Sequence, residues 1–299
     1  MDYVILEKAK PYTRIKRGKL ERVKGYSGRV AEGIKVDPKK LNEESVNKRL
    51  DGIKNKYGIK NLQVDLQLST PYDNKALKIM SSRLDIVERE IKNVEKAIRF
   101  KGRNKLQIQI VDYDDITFGD TKAWYYSDSQ TIEINPKYET SFAHEYGHFL
   151  YYEVMKVSDS VNRRASSEFM RTLFGDEKGL DKNKVKKAFD AMTKKLPNAV
   201  VRDIVSKYGE FFLNNFDRIP KLKENSEPSY RKVYNYYEYF CDPTEIVARV
   251  VENYTVGLHS DKSLIDKLPG FKALSKQLGD KYFKKEIYKS MSYVMIEEV

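Results

Sequence analysis

The chain has 299 residues, 40% of them apolar, which is enough to bury the core of one large domain or two modest ones. Its mean hydropathy is −0.67, and no stretch approaches the roughly 18 to 20 apolar residues a spanning helix needs. A membrane protein is excluded on that ground, and the start MDYVILEKAKPYTR lacks the charged-then-apolar layout of a signal peptide, so the expected location is cytoplasmic. Lys and Arg number 56 against 44 Asp and Glu, for a net charge of +12.

Half of that excess lies at the start, where residues 1 to 30 carry nine basic and three acidic side chains. The arm, residues 1–35, includes Lys8, Lys10, Arg14, Lys16, Arg17, Lys19, Arg22, Lys24 and Arg29. It reads either as a solvated, partly flexible tail or as a contact for nucleic acid or an acidic protein surface. No RNA- or DNA-binding signature accompanies Tyr12 and Tyr26. Gly25, Gly28, Gly33 and Pro38 mark a join to the domain expected over residues 36–299.

Leu41, Val46, Leu50, Ile53 and Tyr57 predict an amphipathic helix over 41–57, and the alternation Leu62, Val64, Leu66, Leu68 predicts a half-buried strand over 61–69. From 74 to 100, Leu77, Met80, Leu84, Val87, Ile91, Val94 and Ile98 recur at three- and four-residue intervals. At under four heptads this run reads as a scaffold helix of the domain in preference to a coiled coil. Segments 106–113, 123–127 and 131–135 have β character. Ser127-Asp128-Ser129-Gln130 closes a hairpin between the last two, and Pro136 stops it. Beyond lies a helical half, with helices expected near 161–174, 182–195, 198–216, 243–256 and 271–290. The whole is an α+β arrangement, with a small mixed sheet up to about residue 138. Cys241, the only cysteine, excludes an internal disulfide and reads as a small semi-buried residue.

Immediately after the hairpin stands His144-Glu145-Tyr146-Gly147-His148, which holds two of the three histidines. Thr140 or Ser141 can cap a helix running to about Met155, with Phe142, Phe149, Leu150 and Met155 as its apolar surface. A spacing of four puts both imidazoles on one face, and Glu145, about 100° round from His144, can reach a water on a shared metal ion. Neutral imidazoles suit zinc, and a catalytic zinc site commonly has three protein ligands with the fourth position open. The metzincin continuation requires Gly and His where Tyr151 and Val154 stand, so that group is excluded.

A third ligand is needed. His259 is one candidate, and an acidic residue on a later helix is another. Asp242-Pro243 reads as a helix start that puts Glu245 in the first turn. There Glu245 either completes a capping interaction at the positive helix end or serves as the ligand. The unmet need of the two imidazoles favours the ligand.

The motif His144-Glu145-Tyr146-Gly147-His148 followed by Glu245-Ile246-Val247-Ala248-Arg249 resembles the gluzincin group of zinc metallopeptidases. It is similar to the catalytic domain of anthrax lethal factor and to metallopeptidase-like domains of phage-encoded large polyvalent proteins. The likeness covers about residues 105 to 255, and the 97-residue interval between His148 and Glu245 departs from the pattern. It implies a zincin-like fold, His144, His148 and Glu245 as zinc ligands, and Glu145 as the base of a peptidase acting on a protein or peptide substrate. The arm from Tyr12 to Tyr26 is similar to basic segments of phage head-associated proteins. A phage or prophage origin, with function in the bacterial cytoplasm or association with a virion, is therefore expected.

Charge developing on the scissile carbonyl oxygen needs a donor besides the metal. Tyr237 and Tyr239 are the first candidates, with Tyr236, Tyr254 and His259 nearby. Strand 123–127 can offer a free edge to an extended substrate, as the preceding strand does in zincins, while Trp124 reads as core. Gly147 inside a helix costs about 1 kcal/mol relative to alanine, and close approach of a neighbouring backbone is the reason expected for it. The rival reading is a head-associated or nucleic-acid-associated structural protein whose zinc site is vestigial or only stabilising.

Overall fold

The computed structural model describes residues 12–16, 19–23, 43–65, 74–98, 104–111, 123–135, 141–175, 180–219, 227–257 and 265–284. The chain divides into two units, Met1–Lys40 and Leu41–Val299. In the first, β1 (Tyr12–Lys16) and β2 (Lys19–Val23) pair antiparallel with Ile15 opposite Leu20. The sequence reading placed no strands within this basic arm. Tyr12, Thr13, Ile15 and Val23 are strand formers whose signal is diluted by the interspersed Lys and Arg. The expected join at Gly25, Gly28, Gly33 and Pro38 lies outside the described residues.

In the second unit α1 (Glu43–Tyr57) leads into β3 (Asn61–Asp65), and α2 (Asn74–Ala97) carries the chain across to β4 (Gln107–Val111). β4 runs parallel to β3, a pairing that demands such a crossover. β5 (Ala123–Tyr126) and β6 (Thr131–Ile134) form the expected hairpin, and β6 also pairs parallel with β4. The sheet order is β3-β4-β6-β5, so β5 is an outermost strand, antiparallel to its neighbour.

Alternation along the strands sets the two faces of this mixed sheet. Leu62, Ile108, Ile110, Ile132, Ile134 and Tyr125 are buried on one side. On the other, the register aligns Asn61, Gln107, Thr131 and Tyr126 in one row and Gln63, Gln109, Glu133 and Trp124 in the next. All seven apolar positions picked out along the long helix are buried, and Leu84, Val87, Ile91 and Val94 are fully so. Arg49 ties α1 to α2 through Asp85 at 2.6 Å and Glu88 at 2.9 Å. The scaffold role expected of α2 follows from this burial.

The helical half consists of α3 (Ser141–Phe149), α4 (Asp159–Phe174), α5 (Lys182–Thr193), α6 (Ala199–Asn214), α7 (Glu227–Phe240), α8 (Pro243–Thr255) and α9 (Phe271–Tyr282). Helix α3 continues through a wider π-type turn, Leu150–Val154, which brings the helical path to the predicted end at Met155. Helix α7 was not anticipated in the sequence. Its Pro228 and run of tyrosines obscure the period, although Val233, Tyr237 and the following Cys241, all buried, repeat every four residues. The last helix ends at Tyr282 instead of 290, and residues past 284 are outside the described set. Helix α8 lies at the centre of this half: Ile246, Val247, Ala248, Val250 and Val251 are all fully buried, as expected of a helix apolar nearly all round. No helix among the described residues is long and apolar enough to cross a membrane.

Candidate metal centre

Helix α3 enters the core directly from the sheet, with Phe142, Ala143, Tyr146 and Phe149 fully buried. The opposite stripe presents His144 and His148, whose ring centroids are 5.0 Å apart and whose planes meet at 80°. Between them Gly147 allows α8 to cross at backbone contact. A Cβ on Gly147 would stand 2.5 Å from Ala248 Cα and 3.2 Å from Ala248 O. This is the close approach that a glycine inside the motif implies.

Glu245 lies three residues before Ala248, and the crossing delivers its carboxylate to the imidazoles. Its Oε2 is 3.4 Å from His144 Nε2, and its Oε1 is 3.5 Å from His148 Nε2. One donor atom from each of the three residues lies within 4.8 Å of the others. Asp242 caps α8 by accepting from Thr244 N at 2.9 Å, so the cap is supplied by Asp242 while Glu245 turns to the histidines.

The far side of each imidazole is held as well. Glu252 Oε2 lies 3.1 Å from His144 Nδ1, and Thr244 Oγ1 lies 2.7 Å from His148 Nδ1. An acceptor at Nδ1 keeps the ring proton there and turns the Nε2 lone pair towards Glu245. Thr244 in turn is fixed by a buried chain of polar groups. The Tyr151 hydroxyl donates to Asn162 Oδ1 at 2.7 Å, and Asn162 Nδ2 donates to both Asp242 oxygens at 3.2 Å. Tyr151 belongs to the widened turn after α3, so this chain ties α3 to α8 a second time, through α4.

The electrostatics suit a cation. Burial opposes ionisation of Glu245, yet His144 and His148 hold its carboxyl well below the usual range. Burial likewise disfavours the His144 cation, but Glu245 and Glu252 raise its pKa well above the ordinary value. Glu145 is 8% exposed; burial pushes its carboxyl up, and the nearby His148 and His144 oppose that shift. With neutral imidazoles, the three carboxylates Glu145, Glu245 and Glu252 against the one guanidinium of Arg249 leave two negative charges, which a divalent ion balances. Glu245 Oε2 is also buried, with no hydrogen-bond partner among the described residues beyond its 3.4 Å approach to His144 Nε2. Two imidazole nitrogens and one buried carboxylate are a donor set that fits a divalent metal ion.

The tyrosines separate. Tyr239 sits beside the centre and is 46% exposed; partial burial first and the Glu245 carboxylate second raise its phenol, and its ring lies under Arg249. Tyr237 is fully buried, its ring edge-on to Phe174, Phe212 and Tyr236, and its hydroxyl has no hydrogen-bond partner among the described residues. The structure therefore brings Tyr239, and not Tyr237, to Glu245. The Tyr254 hydroxyl donates to Asp280 at 3.2 Å, and His259 and Thr140 lie outside the described residues. Cys241 is buried, and desolvation pushes its thiol well up, in keeping with a packing role.

Trp124 overturns an expectation. It is 46% exposed on the outer face of β5, with Tyr126 beside it at 6.5 Å, because Tyr125 takes the inward position against Phe149 and Tyr152. Four contributors escaped the sequence reading: Thr244, Arg249, Glu252 and Asn162. Glu252 was accessible in principle, because seven residues on from Glu245 is two turns along the same helix face. No protein-family model matches the chain, and neither does any curated protein or solved structure.

Proposed function

We propose that this protein is a zinc-dependent endopeptidase of gluzincin type, with His144, His148 and Glu245 as ligands and Glu145 as general base. The observation that carries the reading is the convergence of both Nε2 atoms on the Glu245 carboxylate, with each Nδ1 already engaged on the far side. Three protein donors, the full set found among the described residues, match an open site; a purely structural zinc site is closed by four.

A zinc ion held there supplies a bound water of near-neutral pKa and a Lewis acid for a carbonyl oxygen. Glu145 accepts a proton from the attacking water and hands it to the departing amine, work that favours a carboxyl raised by burial. Tyr239, beside Glu245, is placed to donate to the oxygen on which charge develops. The outermost strand β5 offers backbone groups to which an extended peptide can pair, which gives affinity with little demand on substrate sequence. The resemblance sets this enzyme in a phage or prophage, acting in the bacterial cytoplasm or with a virion, and the basic arm would add contacts with nucleic acid or an acidic surface.

The test is metal content and casein cleavage, with and without a chelator, for the wild type, Glu145→Gln and His148→Ala. The expected result is full zinc occupancy but no cleavage for Glu145→Gln, and loss of both for His148→Ala. A fully active Glu145→Gln enzyme would refute the assignment of the base.

A further inference from the structure

Arg249 is 6% exposed, on a helix whose other central residues are apolar, and an always-charged guanidinium is costly to hold there without partners. Its surroundings are specific. Nη2 lies 3.9 Å from Glu245 Oε2, the same oxygen that faces His144 Nε2 at 3.4 Å. The guanidinium carbon stands 5.0 Å from the Tyr239 ring centre and 4.6 Å from that of Phe240. Its own helix places it one turn beyond Glu245 and just under one turn before Glu252, the two carboxylates that bracket His144. One planar cation thus touches a metal ligand on one side and the tyrosine beside that ligand on the other.

We propose that Arg249 is a positioning residue with two linked tasks: it fixes the Glu245 carboxylate as a metal ligand, and it stations Tyr239 against that carboxylate. The inference rests on the peptidase reading of the site. The charge of the guanidinium draws on Oε2 and limits rotation of the carboxylate, so the ligand is in place before the metal arrives. Its flat face sets the height of the Tyr239 ring, an attraction that lysine reproduces poorly because a compact ammonium offers no plane to stack. Glu245 and Tyr239 come from α8 and α7, and Arg249 is the joint between them.

Zinc affinity of the full chain, read by competition with a chromophoric chelator, separates the outcomes. Arg249→Met keeps the bulk and loses the charge, and its dissociation constant is expected to rise about 10- to 100-fold. Arg249→Lys keeps the charge, so its zinc affinity should stay within about threefold of wild type while kcat on casein falls at unchanged KM. A merely structural arginine would lower the melting temperature of the apoprotein and leave the zinc affinity of the folded fraction alone. An Arg249→Met dissociation constant within threefold of wild type overturns the proposal.

Should Arg249→Met fail to fold, Arg249→Gln is read against the same thresholds. One arm needs no variant: the Arg249 Nε–H resonance of the wild type is expected to shift on zinc addition, and an unmoved resonance overturns the proposal. A wild type that takes up no zinc overturns both this inference and the peptidase reading. A zinc-loaded, proteolytic wild type with an indifferent Arg249 overturns the inference alone.

Discussion

Gly147→Ala isolates the helix crossing on which the centre depends. An added methyl would stand 2.5 Å from Ala248 Cα, and that atom belongs to the backbone of a helix buried nearly all round, which cannot swing aside. Overpacking of this kind costs about 1 to 3 kcal/mol, and a rigid backbone neighbour places it near the upper end. Alanine recovers about 1 kcal/mol through helix propensity, leaving a net loss of about 2 kcal/mol, or roughly 4 to 8 °C in melting temperature for a unit of this size. Gly52, helical and exposed with nothing within 4 Å of its would-be Cβ, is the control. Gly52→Ala should gain about 0.5 to 1 kcal/mol. Thermal and urea unfolding of the two variants, each without metal, measures the difference. Moving α8 away from α3 also moves Glu245 away from the imidazoles, so Gly147→Ala should weaken zinc binding where Gly52→Ala does not. A Gly147→Ala protein as stable as wild type, or stabilised like the control, would refute the backbone-contact argument.

Tyr239→Phe should lower kcat with zinc content intact, whereas Tyr237→Phe, which removes a buried hydroxyl with no partner among the described residues, should leave turnover unchanged and stability equal or slightly higher; steady-state assays and melting curves read both. Thr244→Val removes the acceptor at His148 Nδ1 and should weaken zinc binding about 10- to 100-fold in chelator competition, with Thr244→Ser restoring most of it. The metal-free protein carries two opposed titrations. His144, raised by Glu245 and Glu252, contributes stability that is full below its ordinary value of 6.5 and lost as pH rises through the raised one. Glu245, lowered by the two histidines, contributes stability that is full above 4.5 and lost as pH falls through the lowered value. Urea midpoints in a chelator should therefore show a maximum between pH 4.5 and 6.5 that Glu245→Gln flattens. A wild-type profile unchanged by that substitution would contradict the coupling.

The faces of α3 and of the scaffold helix α2 could be read from residue spacing, because each carries a strong local period. Leu84, Val87, Ile91 and Val94 are buried where the repeat put them, and His144 and His148 share a face because four residues make one turn. The Asp242-Pro243 start of α8 was equally legible, since capping chemistry is local. Which face Glu245 would show was not local: its choice between cap and imidazoles is made by the crossing at Gly147 and Ala248, a tertiary contact across the long interval from α3. The glycine recorded that contact in the sequence without naming the partner. Trp124 shows the converse error. Alternation along β5 gives two possible phases, and a large apolar residue suggested the inward one, but the pairing with β6 puts Tyr125 inside and Trp124 outside.

The same crossing explains why the polar groups behind the ligands sit on α8. A helix that meets α3 at backbone distance offers a short reach from both flanks of the contact, so Thr244, Glu245, Arg249 and Glu252 bracket Ala248 by four residues on either side. Interspersed with them are Ile246, Val247, Val250 and Val251, all fully buried, which exclude water from the ion pairs. In such surroundings an unpaired carboxylate is expensive and a paired one is held firmly. The pocket is therefore most stable when a cation completes it, whether a proton on His144 or, in the proposed reading, a divalent ion. Zinc binding at acid pH would have to displace that proton, and its affinity should fall as pH drops through the raised value of His144.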